Sequence, residues 1–178
     1  MKTLKLRRTA LLIFLLLPLL AVECYDEPFA PKLPQATQTG EGMMAAKVNG
    51  VVWIATGGLI GDNPSATYGN ITGRLDIGGR YKHNEGISSM SITVSNVFNE
   101  TVYYAWGLST FQDGTRIYFH SPSHRWCQAY RSNPGIVEIT RLDTIDQIIS
   151  GTFEFDGICE SGDTVKVRQG RFDVTYSH

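Results

Sequence analysis

His120, His124 and Cys127 stand at a spacing, H-x-x-x-H-x-x-C, that could hold a metal ion. Imidazole nitrogen and thiolate sulfur are good zinc ligands, and three protein ligands plus a water make a catalytic centre. Pro122, between the histidines, makes a turn here rather than a helix, and no acidic residue lies close by in sequence. The competing reading is two loop histidines and a structural cysteine. It holds if Cys127 is oxidised, because the thiolate is the metal-binding form.

A second constellation is aromatic. Tyr103, Tyr104, Trp106, Tyr118, Phe119, Trp126 and Tyr130 crowd the middle of the chain. Strand alternation sends Tyr104 and Trp106 to one face and Tyr103 to the other. A barrel mouth or sheet face lined this way could stack sugars or hold a small apolar ligand, with Trp106 and Trp126 as the candidate contacts. The alternative is that these rings fill the core of a β protein.

Other chemistry finds less support. Gly57-Gly58-Leu59-Ile60-Gly61 follows a strand, as a phosphate-cradling loop would, but no helix pattern follows to supply the anion-attracting N-terminus. Neither G-x-S-x-G, H-E-x-x-H nor S-x-x-K is present. Asp143 and Asp146 read as a solvated turn between Ile139 and Ile149. The sequence therefore names no catalytic residue and no cofactor.

The elements that must position these residues are strands. Ala46, Val48, Val51 and Trp53 share a face across Asn49-Gly50, which supplies the positive φ angles of a type I′ hairpin turn. A Gly/Asn/Pro-containing loop is expected over 56–70, then strand-like runs at about 71–77, 88–97, 101–106 and 115–120. Further on, Val137 and Ile139 alternate with Glu138 and Thr140, and Ile149, Gly151, Phe153 and Phe155 with Ser150, Thr152 and Glu154. Val165 and Val167 oppose Lys166 and Arg168, while Phe172, Val174 and Tyr176 oppose Asp173 and Thr175. Period-two alternation places one face in a core and the other in water. Gln169-Gly170 reads as a turn joining the last two strands. The expectation is a single all-β domain over 43–178: an antiparallel β-sandwich or β-barrel of about nine or ten strands.

The N-terminus addresses the chain. Lys2, Lys5, Arg7 and Arg8 precede an apolar run from Thr9 to Val22, too short for a comfortable membrane span, so 1–23 reads as a signal peptide. Its removal takes away four cations and Glu23, leaving 12 Lys+Arg against 16 Asp+Glu, or −4 in place of −1. With no Lys/Arg cluster after Arg8, nucleic acid is not an expected partner. Cys24 stands where a lipoprotein signal places its lipidated cysteine, although Glu23 replaces the usual small residue before it. Lipidation there would hold the protein on a membrane, in the periplasm or at the outer membrane and cell surface. Residues 24–42, with Pro28, Pro31 and Pro34, read as a partly stiffened tether. Cys127 and Cys159 remain as a pair that an oxidising compartment would join in a disulfide; two buried thiols are the alternative.

Leu33-Pro34-Gln35-Ala36-Thr37-Gln38-Thr39-Gly40 followed by Val48-Asn49-Gly50-Val51-Val52-Trp53 resembles the opening of a family of small secreted lipoproteins of Bacteroidota-type bacteria. Ile149-Ser150-Gly151-Thr152-Phe153-Glu154-Phe155 and Gly170-Arg171-Phe172-Asp173-Val174 resemble its ending. The resemblance covers both ends of the mature chain. It implies an envelope location and an all-β fold, and it brings no catalytic residue. Members often carry a cysteine where this chain has Ala46, so no disulfide pattern is carried over. Three functions stay open: a non-catalytic binding module for a small molecule, glycan or protein partner; a structural accessory domain of an envelope complex; and an envelope hydrolase with a site near His120 and His124.

Overall fold

A computed structural model describes residues 31–56, 64–105, 114–129 and 133–178. The signal peptide over 1–23, Cys24, the glycine run 57–61, Trp106 and Tyr130 lie outside the described residues. Lys32–His178 form one compact unit.

The described residues are all-β. The strands are β1 (Met43–Val48), β2 (Val51–Ile54), β3 (Ser65–Gly69), β4 (Arg74–His83), β5 (Gly86–Val94), β6 (Val102–Ala105), β7 (Arg116–His120), β8 (Cys127–Gln128), β9 (Gly135–Asp143), β10 (Ile148–Ile158) and β11 (Thr164–Thr175). They form one antiparallel sheet of order β2-β1-β11-β10-β8-β7-β5-β4-β3, with β9 also paired to β10 and β6 to β9. A single sheet of this size must curl to bury one face. Three sets of bonds stitch it back on itself. Thr67 of β3 bridges Ser177 beyond β11 in parallel, through Tyr68 N–H to Ser177 O at 2.9 Å and Ser177 N–H to Ala66 O at 3.1 Å. Thr56 N–H, just past β2, donates to Arg80 O of β4 at 2.9 Å. Ala105 of β6 bridges Thr115 beside β7. The result is a curled, half-barrel sheet rather than two separate facing sheets.

Side chains fill its concave face. Met44, Leu75, Ile77, Met90, Ile92, Ile117, Ile139 and Ile149 are fully buried there, with Phe153 and Phe172 stacked at 6.4 Å between centroids. Burying each such side chain contributes about 1.5–3 kcal/mol. Polar groups in the core are matched: Trp53 Nε1–H donates to Ser88 Oγ at 2.8 Å and Tyr68 O–H to Val97 O at 2.6 Å.

The hairpin turn stands as the Asn-Gly pair requires. Asn49 has φ 50° and Gly50 φ 85°, with Val48 opposite Val51 and Ala46 opposite Trp53. Ala46 and Trp53 are buried, whereas Val51 at the tip is 70% exposed. Asp143 closes β9 and Asp146 lies in the β9–β10 turn, where the Asp143 carboxylate accepts N–H bonds from Ile145 and Asp146, both at 2.9 Å.

Two expectations are corrected. The loop expected over 56–70 contains β3, whose inward Ala66 and Tyr68 are buried. Two inward side chains are too few to mark a strand by alternation. Gln169-Gly170 does not end a strand, because β11 runs straight through it. Gln169 has φ 54°, and both neighbours shift register there: Phe153 pairs with Gly170 but Phe155 with Val167, and Ala45 with Arg171 but Lys47 with Arg168. This is a β-bulge. It resets the parity of β11, so that odd-numbered Val165 and Val167 and even-numbered Phe172 and Val174 all face inward. Gly170 is required for close approach, since a Cβ there would lie 2.4 Å from Phe153 O.

Candidate functional site

Two regions concentrate polar chemistry, and they differ in kind. The first is a clasp around Asp173. Its carboxylate points from the convex face of β11 and is covered by the chain upstream of β1. Oδ1 accepts from Ser150 Oγ at 2.7 Å and Gly40 N at 2.8 Å; Oδ2 accepts from Thr37 Oγ1 at 2.7 Å, Thr39 N at 2.9 Å and Glu41 N at 3.3 Å. Gly40, at φ 77°, supplies the turn that aims these N–H groups, and Ile148 and Thr175 would crowd any Cβ there. Arg171 donates to Pro34 O at 2.8 Å, and Arg141 and Gln38 bond across to each other's segment. Burial of Asp173 pushes its carboxyl upward, but the Ser150 and Thr37 hydroxyls and the Gly40 and Thr39 N–H groups outweigh it, leaving a pKa of about 2. The stretch Pro34–Glu41, the downstream part of the expected tether, is therefore bound to the sheet. Three of the four stretches quoted for the family resemblance meet here, through Thr37 and Gly40, Ser150, and Arg171 and Asp173, while the fourth, Val48–Trp53, does not contribute to the clasp. Every oxygen of the carboxylate is occupied, so the clasp holds structure and offers nothing to a ligand.

The second region lies on the convex face of β5, β7 and β8. Ile117 and Phe119 point inward, so Tyr118 and His120 point outward. Phe119 pairs with Cys127 and Tyr118 with Gln128, which sets Trp126 opposite His120. Their rings lie 5.1 Å apart, tilted by 55°. On the other side of β7, Ser89 pairs with His120 and Ser91 with Tyr118. Trp126 is 54% exposed and has φ 43°. An L-residue with a bulky side chain is rarely held in the left-handed region, at a cost of about 1–2 kcal/mol. Two adjoining constraints hold it. Cys127 is disulfide-bonded to Cys159, and Glu160 N–H donates to Arg125 O at 3.2 Å.

The residues singled out from sequence are thereby distributed. Cys127 spends its sulfur on Cys159, which removes the third ligand from the metal spacing. His124 sits within its own turn: Nδ1 is 3.0 Å from Ser123 Oγ, and its N–H donates to Ser121 Oγ at 3.0 Å. His120 lies against Trp126 instead of converging with His124. No cluster of three or more His, Cys, Asp or Glu side chains placed to hold a metal occurs among the described residues. Tyr103 and Tyr104 alternate as expected, Tyr103 packing on the core and Tyr104 half exposed on β6. Phe119 is core. Of the aromatic constellation, Tyr118 and Trp126 stand on the convex face beside His120.

Sequence reasoning missed Asp173 and Ser150, because residues opposing an inward apolar set read as ordinary solvent-facing positions. It also missed Ser89, Ser91 and Gln128, which become neighbours only through pairing between distant strands. A groove of about 450 Å³ lies between β3 and the end of β11, lined by Gly42, Ser65, Thr67, Thr175, Tyr176 and Ser177; it gathers backbone and small side chains without a titratable cluster. No family model, curated protein or solved structure matches this chain.

Proposed function

We propose that the protein is a non-catalytic binding module of the bacterial cell envelope, exported by its N-terminal signal, and that its binding face is the convex surface of β5, β7 and β8 around Trp126. The observation that carries this reading is a large indole, more than half exposed, on a left-handed backbone and braced by a disulfide one residue away. Strained conformations persist where surrounding structure over-determines them, and they cluster at binding and catalytic sites. A solvent-exposed tryptophan that serves only folding would gain nothing from such a backbone. The clasp at Asp173 supports the same reading, because its polar groups are spent on architecture and recognition is left to different strands of the convex face.

The test is direct. Ligand captured from native envelope extract by the full mature chain should be lost when Trp126→Ala replaces the indole, while the thermal melt stays close to wild type. Undiminished capture by Trp126→Ala would remove the assignment of this face. Location and anchoring are checked by mass spectrometry of protein from its own membranes. A lipid-bearing N-terminal peptide starting at Cys24 is the expected product, and an unmodified mature N-terminus elsewhere would exclude lipidation.

A further inference from the structure

The hydrogen-bonding groups around Trp126 are uncommitted. Ser89, Ser91, Tyr118, His120 and Gln128 surround it in strand register, and their side chains make no hydrogen bond with any described residue. Ser91 is exposed and the others are partly exposed. Elsewhere on the convex surface polar groups are paired, as where Asp76 binds Arg74 and Thr93, and Asp156 binds Asn133 and Arg168. Register also sets the dimensions. Strands lie about 4.8 Å apart and alternate residues about 6.7 Å apart, so two rows, Ser89–His120–Trp126 and Ser91–Tyr118–Gln128, span roughly 10 by 7 Å.

The chemistry of this patch is specific. Serine, tyrosine and glutamine side chains each donate and accept, and neutral imidazole does both as well. Exposed Arg80 of β4 stands beside Ser89 at one end of the first row, and between Ser89 and Trp126, as between Ser91 and Gln128, there is no carboxylate, lysine or arginine. The indole face is the extended apolar surface within the two rows, and exposed isoleucines stand only at their margins, Ile158 beside Gln128 and Ile87 two residues before Ser89. An apolar protein partner would need an apolar centre, and here Ser89, Ser91, Tyr118, His120 and Gln128 occupy it. A nucleic acid would need clustered cations. The complement is an uncharged ring with an apolar C–H face and a rim of groups that both donate and accept.

Resting on the proposed binding face, we infer that its ligand is a neutral pyranose glycan, with one sugar ring stacked on Trp126 and its hydroxyl rim bonded by Gln128, Tyr118 and the Ser89–Ser91 pair. The footprint fits one to two sugar rings. Binding is therefore weak for one ring and strengthens where several copies of the protein meet a repeating polymer.

The experiment uses the full mature chain and neutral oligosaccharides as probes: malto-, cello-, laminari- and chito-hexaose, followed by tryptophan fluorescence and calorimetry up to millimolar sugar. A sulfated glycan and a hydrophobic dye serve as comparison probes. At least one neutral series should bind saturably, weaken about tenfold or more in Trp126→Ala and several-fold in Gln128→Ala, and stay unchanged in Tyr104→Ala, an exposed aromatic on β6 away from this face. If no neutral sugar binds while a comparison probe binds the wild type and is lost in Trp126→Ala, the glycan class is overturned and the face survives. Sugar binding that persists in Trp126→Ala overturns both. Absence of binding by every probe overturns the glycan assignment. Circular dichroism of each variant confirms that loss of binding is not loss of fold.

Discussion

The Asp173 clasp and the Trp126 face sit on the same convex side of one sheet, yet they are built in opposite ways. Around Asp173 every lone pair is matched, the carboxylate is fully buried, and the residue that bends, Gly40, is the one that bends without strain. Around Trp126 the donors and acceptors are unspent, the ring is in water, and the residue on the left-handed backbone is one of the least suited to it. Satisfied polar networks are how a fold specifies itself. Unsatisfied ones at the surface cost nothing in water and remain available to a ligand. The difference separates a site of assembly from a site of recognition, even though both are polar and both lie outside the core.

That contrast can be broken at several points. The largest effect belongs to the disulfide, which serves the second region but supports the whole unit. Replacing Cys127 and Cys159 by serine should cost about 3–4 kcal/mol on the chain-entropy model, read from denaturant unfolding. An equal loss on adding reductant to the wild type would show that the bond itself, and not the substitution, is responsible. Asp173→Ala comes next. It strands three N–H groups and two hydroxyls beneath the strap, and a loss of about 3 kcal/mol is expected. Hydrogen exchange should show the amides of Thr39, Gly40 and Glu41 losing protection in this variant; retained protection would mean that the strap is held by Arg171 and Arg141 alone.

A smaller effect is read by pH. The folded carboxyl of Asp173 sits at about 2 against an ordinary 3.8, so its contribution is fully present above about pH 4 and lost as pH falls toward 2. The wild type should lose about 2 kcal/mol over that interval by this group, and Asp173→Asn should lack that component. Parallel pH profiles for the two proteins would refute the clasp as an ionised centre. Last is Trp126→Gly. Glycine adopts the left-handed backbone freely, which offsets the lost contact with His120, so stability should change by less than about 1 kcal/mol in either direction. Ligand capture should nonetheless disappear. A large destabilisation would instead mark Trp126 as architectural and merge the two regions into one kind.

Some of this was legible from residues alone. The I′ turn at Asn49-Gly50 needs two positive φ angles, and that requirement is local. Alternation in β9 and β10 likewise reports burial on one side without reference to any partner strand. The change of parity between Val167 and Phe172 was visible too, but a turn and a bulge reset parity equally well. What decides is whether β1 and β10 continue alongside, which they do on both sides of Gln169. The pair Cys127 and Cys159 was expected from compartment and count, and the short β8 confirms the geometry by which it forms. His120 and His124 looked like a pair because they are close in sequence. Strand direction sends one to the convex face and the other into a turn.

By itself, then, the sequence determined the class of fold, the strand faces and the tight turn, because these depend on side-chain period and backbone preference over a few residues. Tertiary structure alone decided the rest: that Pro34–Glu41 belongs to the sheet, that Asp173 is buried instead of solvated, and that Ser89, Tyr118, Gln128 and Trp126 share one face. Those outcomes depend on register between strands distant in the chain. A one-residue slip in that register would move every side chain involved to the other side of the sheet.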